Sequence, residues 1–350
     1  MSGSSSSTVV YVGAADGNAV TVLAMDGVAG RLSLKQTARF EGVEQAGPST
    51  PLAISPDRRF LFAGVRSEPY RVVSFAIDPE SGGLNQVGLG PLPDSMAYLS
   101  TDRTGRFLFG ASYGGSLVSV SPIGPDGQVG AALQSLPTGK NAHAVLPAPD
   151  NRFVLATNLG SDQIRVFRFD SAAGALTPAN PPAAQTGLRS GPRHLAFHPT
   201  APLVFLLGEL DMVVRSFAYD ADEGRLTELS SCSAMPAGSP GEAFPKPWGA
   251  EIRLTPDGRF LYVSERTTSS LVGFSVDPGA GALTLIEAVP TEKQPRGFAI
   301  DPTGRFLAAV GELSDMLTLY SIDQESGRLT LLQSLAVGAR PNWVEFLQLG

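Results

Sequence analysis

The phrase SPDRRFLF at 55–62 returns along the chain as APDNRFVL at 148–155, TPDGRFLY at 255–262 and DPTGRFLA at 301–308. Looser copies stand at 102–109 (DRTGRFLF) and 198–206 (HPTAPLVFL), and TVVYVG at 8–13 opens the chain as a copy without its head. Each phrase reads as a tight turn followed by a strand. Anchored on the first residue of that strand, the copies fall at Val9, Phe60, Phe107, Phe153, Leu203, Phe260 and Phe306, spaced 46 to 57 residues apart. Self-similarity at such a period marks a repeat architecture.

Outward from the phrase, every repeat has the same anatomy. A short strand enters the turn and a second leaves it. A third follows, as in NAVTVLAMD (18–26), SLVGFSVD (270–277) or MLTLYSID (316–323), and a Gly turn leads to a fourth, as in GRLTLLQSL (327–335). Asp and Gly supply the turns, and the short apolar alternations suit strands rather than helices. Seven such units predict an all-β chain, a seven-bladed β-propeller of four-stranded blades. The closing RPNWVEFLQL (340–349) resembles the first strands QPRGFAIDP (294–302) and GPRHLAFHP (191–199), while the chain opens on a second strand. The C-terminal strand is therefore expected to pair with the N-terminal blade, closing the ring and hiding its sheet edges. The expected division is a flexible tail over 1–8 and one propeller domain over 9–350.

Composition agrees with a water-soluble fold. The 350 residues are 43% hydrophobic and 17% charged, with 39 glycines and 28 prolines spread along the chain. The longest apolar stretch, Leu203–Leu207, is far short of a membrane span. MSGSSSST at the start has neither the basic residues nor the apolar run of a secretion signal. A single cysteine, Cys232, excludes an internal disulfide and suits a reducing compartment, so a cytoplasmic location is expected. The net charge of -7 argues against general nucleic-acid or membrane-surface binding, but leaves room for a local basic pocket. A monomer is expected, because closure consumes the edges.

The repeat also locates a candidate site. The residue ten before each anchor stands at the entrance of a first strand: Thr50, Ala97, His143, Arg193, Ala250 and Arg296, with Asn342 in the seventh place by alignment. The residue six after each anchor is Ala15, Arg66, Tyr113, Leu159, Glu209, Arg266 or Glu312. A hairpin brings the two sets to one end of the channel. Turn and core positions repeat from blade to blade, whereas these positions vary. Imidazole, guanidinium, carboxylate and phenol thus converge on one mouth, suited either to binding and transforming a small polar anion or to pairing with one another. The longest interval carries an insertion around 237–247, a rim to that mouth with Trp248 beside it.

Two strings are set aside. Gly110-Ala111-Ser112-Tyr113-Gly114 matches a hydrolase elbow, but a strand rather than a helix follows it. His194 and His198 stand four apart, roughly 13 Å along a strand, too far to share an ion. With three histidines in all, no transition-metal site and no cofactor is expected; a calcium site of carboxylates stays open.

At GPRHLAFHP (191–199), GEL (208–210), WGAEIRLTPDGRFLYVSERT (248–267), PTEKQPRGFAIDPTGRF (290–306) and the closing RPNW, the chain resembles the seven-bladed propeller lactonase family, which includes bacterial 6-phosphogluconolactonases and fungal carboxymuconate cyclases. The resemblance implies hydrolysis of a small anionic lactone and places catalysis on His143, Arg193, Glu209 and Arg296. Arg266, His194, Glu251, Trp248, Tyr113 and Asn342 are expected to bind substrate or line the pocket. One of Arg193, Arg296 and Arg266 would anchor a phosphate while another faces the carbonyl. Arginines weaken a carboxylate as a base, whereas histidine starts near neutrality. His143 is therefore expected as general acid/base, with Glu209 orienting it or the water. A cycloisomerase acting on carboxylated muconates and a non-catalytic binding propeller are the competing readings.

Overall fold

The computed structural model describes residues 7–235 and 246–350. Seven four-stranded antiparallel sheets follow one another. Six are meanders, such as Pro192–Phe197, Leu203–Gly208, Val213–Asp220 and Arg225–Ser233. The seventh joins the two ends: Pro341–Gln348 pairs antiparallel with Thr8–Ala14, setting Val10 opposite Phe346 and Val12 opposite Val344. The innermost strands are Leu52–Ile54, Met96–Thr101, Ala142–Pro147, Pro192–Phe197, Gly249–Leu254, Pro295–Ile300 and Pro341–Gln348. Each touches the next around a closed ring. This is the expected seven-bladed propeller, closed by its C-terminal strand.

Six anchors open the second strand of a blade, and the seventh, Val9, is second in its strand. Of the residues expected as a tail, 1–6 lie outside the described residues. Thr8 pairs with Gln348.

The repeated phrase is a hydrogen-bonding device written in two ways. In TPDGRF, the Thr255 hydroxyl donates to Asp257 and accepts from the Phe260 amide at 3.1 Å. In DPTGRF the roles swap: Asp301 Oδ1 accepts from the Phe306 amide at 2.7 Å and Oδ2 from the Thr303 amide at 3.0 Å. His198 plays the same part in its degenerate copy, with Nδ1 accepting from the amides of Thr200 and Ala201. It is a turn residue.

The Arg-Phe pair that follows joins neighbouring blades. Arg59, Arg106, Arg152, Arg259 and Arg305 each lie over the ring of the next phenylalanine, 5.0–5.9 Å from its centre. The Gly turn of the following blade abuts the same ring. At Gly174 and Gly224, both at positive φ, an added Cβ would lie 2.2 and 2.3 Å from Phe107 and Phe153. Only glycine tolerates both the backbone and the contact.

Second strands are sandwiched between blades and buried throughout, as in Phe153–Asn158 and Phe260–Glu265. Outer strands are mostly exposed, as in Leu329–Ala336. Closure protects the seam but not every edge, contrary to the expectation above, because each outermost strand keeps one unpaired side. Six of the seven outer pairings carry a register slip, which twists those edges and discourages pairing with another chain.

A second slip recurs in the inner hairpins, at the candidate positions. Pro192 faces Gly208 but His194 faces Leu207, so Arg193 is the extra residue. Arg296 is extra between Pro295 and Gly297, and Ala97 between Met96 and Tyr98. The register also slips across His143 and Ala250, and at Asn342 in the closing strand. A β-bulge re-aims the side chain it carries. The propeller therefore turns these side chains away from the regular pleat at one end of six of its seven inner strands, the exception being Leu52–Ile54.

The joint between blades predicts that Gly224→Ala costs roughly 1–3 kcal/mol in urea unfolding, whereas Gly114→Ala, with open space at its Cβ, is near neutral.

Candidate functional site

The second-strand exits return to the bulged entrances through one repeated bond. The amides of Arg66, Glu209, Arg266 and Glu312 donate to the carbonyls of Ala46, Gly191, Trp248 and Gln294 at 2.6–3.1 Å. The two sets of positions therefore meet at one mouth of the channel. Glu209 is the hub on one side. Its Oε2 lies 3.0 Å from Arg193 Nε and 2.9 Å from Arg266 Nη2, and its Oε1 accepts from the Trp248 indole at 3.2 Å. The Arg193 contact is an ion pair without hydrogen-bond alignment.

Each arginine is gripped elsewhere. Arg266 donates to the carbonyls of Trp248 and Gly249 at 3.3 and 2.9 Å, and its guanidinium stacks 3.8 Å from the Trp248 ring centre. Arg193, 2% exposed, bonds the carbonyl of Ala250 and meets His194 Nε2 at 3.2 Å. Arg296 is more open; its Nη1 lies 3.7 Å from Glu312 Oε2, while Arg340 takes Oε1 at 3.0 Å. Arg66 completes the set, held by the hydroxyls of Ser49 and Ser95.

Four arginines thus share a small volume with two glutamates. Burial, then mutual repulsion, lowers the basicity of three of them, with Arg66 and Arg193 at about 10 and Arg266 at about 9. These three remain charged at neutral pH. The excess positive charge sits in a chain of net charge -7, so it is a local feature of the mouth.

His143 lies beneath this cluster, 6% exposed, between Tyr113 (ring centres 6.0 Å apart) and His194 (5.1 Å). Its Nδ1 is buried without a hydrogen-bond partner among the described residues. Burial first, then Arg193, His194, Arg296 and Arg266, holds its pKa well below the ordinary 6.5. His143 is therefore neutral and a weaker base than the expected near-neutral histidine. Glu209 is committed to Arg193, Arg266 and Trp248, and no bond from it to His143 is present among the described residues.

Deeper in the channel, His194 Nδ1 meets Glu251 Oε1 at 3.0 Å, and Arg253 lies 3.5 Å from the same oxygen and 3.2 Å from Glu345. A carboxylate on Nδ1–H leaves the other ring nitrogen to accept from Arg193. Glu251 (4% exposed) and His194 (2%) are buried, with His194 directly against Arg193. The Asn342 amide oxygen accepts from the Thr50 amide and its nitrogen donates to the Arg340 carbonyl, tying the closing strand to its neighbour. Tyr113 and Trp248, each 38% exposed, are the aromatic rim. Of the insertion at 237–247, residues 237–245 lie outside the described residues.

Arg66 and Glu312 stood in the pattern at the same positions as Arg266 and Glu209 but were not singled out. Arg340 was missed altogether, because it precedes the closing strand and has no counterpart in that pattern. Among the described residues, no group of three or more His, Cys, Asp or Glu is placed to hold a metal ion, and no helix is long and apolar enough to cross a membrane.

This geometry has known relatives. Residues 3–346 match the family model described as lactonase, 7-bladed beta-propeller. The 6-phosphogluconolactonase of Pectobacterium carotovorum is 43% identical over 341 residues, covering 97% of this chain and 99% of that protein. That of Serratia proteamaculans is 41% identical over 84% of this chain and 85% of its own length. Among solved structures, a periplasmic gluconolactonase of Pseudomonas aeruginosa superposes with a TM-score of 0.87 at 30% identity, covering 99% of this chain and all of that one. With its strands, its closure and its charged mouth in place, the chain belongs to the seven-bladed β-propeller lactonase family.

Proposed function

We propose that this protein hydrolyses 6-phospho-D-glucono-1,5-lactone to 6-phosphogluconate, and that the arginine-rich mouth is where it does so. The observation that carries the placement is the convergence of Arg66, Arg193, Arg266 and Arg296 on one mouth where, among the described residues, only Glu209 and Glu312 form ion pairs with them. Such a site lacks counter-charge and suits a small anion. The substrate itself follows from relatives of that name that align along nearly the whole chain.

Hydrolysis adds water to the lactone carbonyl, places charge on its oxygen, and then breaks the ring C–O bond. Arg296, the more open guanidinium, donates to the carbonyl oxygen, and Arg193, clamped by Glu209 and Ala250, adds a fixed positive field. Neutral His143 takes a proton from the attacking water and returns it to the departing ring oxygen. Its imidazolium is disfavoured by the same arginines, so the proton passes on readily. A bound anion offsets those arginines and raises the basicity of His143 when substrate is present. Glu209 acts by holding Arg193 and Arg266 in place. The protein is proposed to work as a cytosolic monomer, without nucleic-acid or membrane partners.

Freshly prepared 6-phosphogluconolactone should be opened well above its spontaneous rate. His143→Gln should lower kcat by about 10²–10⁴-fold with KM little changed. Hydrolysis no faster than background in the wild type would refute the substrate, and full activity in His143→Gln would refute the base.

The depressed basicity of His143 fixes a pH dependence. Gluconolactone carries no titrating group, so its kcat/KM reports the free enzyme. His143 stays in its active, neutral form until pH falls through its lowered pKa. The rate above background should therefore hold steady from about pH 8 to 6.5 and decline only well below the ordinary histidine value of 6.5. A stopped assay across pH 4.5–8 would read this, and a midpoint at 6.5 would contradict it.

A further inference from the structure

We propose that Arg66, with the hydroxyls of Ser49 and Ser95, forms the subsite for the phosphate of a phosphorylated sugar lactone and sets the preference for it. The inference rests on the lactonase reading above and assigns the residue that reads the substrate's second charged end.

Arg193 and Arg266 share Glu209. Arg296 has Glu312, which it shares with Arg340. Arg66 has no carboxylate within ion-pair distance among the described residues. Its Nε and Nη1 donate to Ser95 Oγ at 3.1 Å and Ser49 Oγ at 2.6 Å, and its Nη2 has no protein acceptor among those residues. The serines fix the side chain without neutralising it. Ser49, 2% exposed, accepts from Arg66 and keeps its own proton to donate. A guanidinium edge beside a neutral hydroxyl donor matches a phosphate, whose oxygens are all acceptors.

Position supports the same assignment. Arg66 leaves the second strand of the blade built on Leu52–Ile54, and Glu209 that of the blade built on Pro192–Phe197. In a ring of seven these blades are three steps apart, the greatest separation available, so Arg66 faces the Glu209 cluster across the mouth. Arg296 and Arg193 nevertheless act on Arg66 strongly enough to lower its basicity after burial, with Asp94 pulling the other way. A lactone with its carbonyl beside His143, Arg193 and Arg296 would extend its phosphorylated end toward Arg66.

The test compares kcat/KM for freshly prepared 6-phosphogluconolactone and for gluconolactone in wild type, Arg66→Met and Arg66→Lys. Loss of a charge-assisted bond predicts that the ratio of the two falls about 10- to 100-fold in Arg66→Met, through KM for the phosphorylated lactone, with Arg66→Lys intermediate. A misfolded variant loses both activities together and is recognised by its melting curve; Arg66→Lys, which keeps the charge, then carries the comparison. An unchanged ratio in a folded variant overturns the proposal. If the wild type does not open the phosphorylated lactone above background, the substrate reading fails separately; if it opens both lactones equally, the claim of a preference fails, and inorganic phosphate then probes the subsite alone. Inhibition of gluconolactone hydrolysis weakened about tenfold in Arg66→Met then supports the subsite, and equal inhibition overturns it.

Discussion

Everything at the mouth depends on the pairing of Pro341–Gln348 with Thr8–Ala14. Seven blades enclose a channel only if the last is completed from both ends of the chain. An open arc would leave the inner strands without a common axis, and the positions that alternate along them would not converge. Closure also draws Arg340 and Asn342 into the mouth, where one pairs with Glu312 and the other bonds the Thr50 amide. The seam is at once a structural joint and part of the wall of the site.

Within that ring, one-residue slips do the aiming. A regular inner strand would alternate its side chains between the two neighbouring blades. The extra residue at Arg193 and Arg296, and the slip across His143, turn those side chains from the pleat. Burying several guanidiniums together is costly. The fold offsets this with Glu209 and Glu312, with carbonyls from Trp248, Gly249 and Ala250, and with the Trp248 ring. The compensation stops short of neutrality, and the remaining charge is what an anionic lactone meets.

The blades were legible because their turn chemistry is local. A Thr or Ser paired with Asp two residues on, or Asp paired with Thr, announces four of the hairpins, as Thr255–Asp257 and Asp301–Thr303 illustrate. The mouth was legible because a fixed hairpin register puts positions before and after the turn side by side. What the sequence did not disclose depends on partners distant along the chain. Glu209 meets Arg266 and Trp248 from the next blade, which no local pattern records. The weak basicity of His143 arises from burial first and then from Arg193, His194, Arg296 and Arg266 on three other blades. Glu251 and Asn342 bond His194 and the backbone of a neighbouring blade, partners that no local pattern records. Arg66 was overlooked because its meaning lies in lacking a carboxylate, which only the folded chain reveals.

A crystal structure of this protein with 6-phosphogluconate, the open-chain product, would test the central claim most directly. The account predicts the product in the bulged mouth, its carboxylate against Arg193 and Arg296 near His143, and its phosphate on the opposite side of the funnel. The channel has a second mouth, lined by Arg58, Arg103 and Arg253. Product bound there, with the Glu209 cluster untouched, would contradict the account.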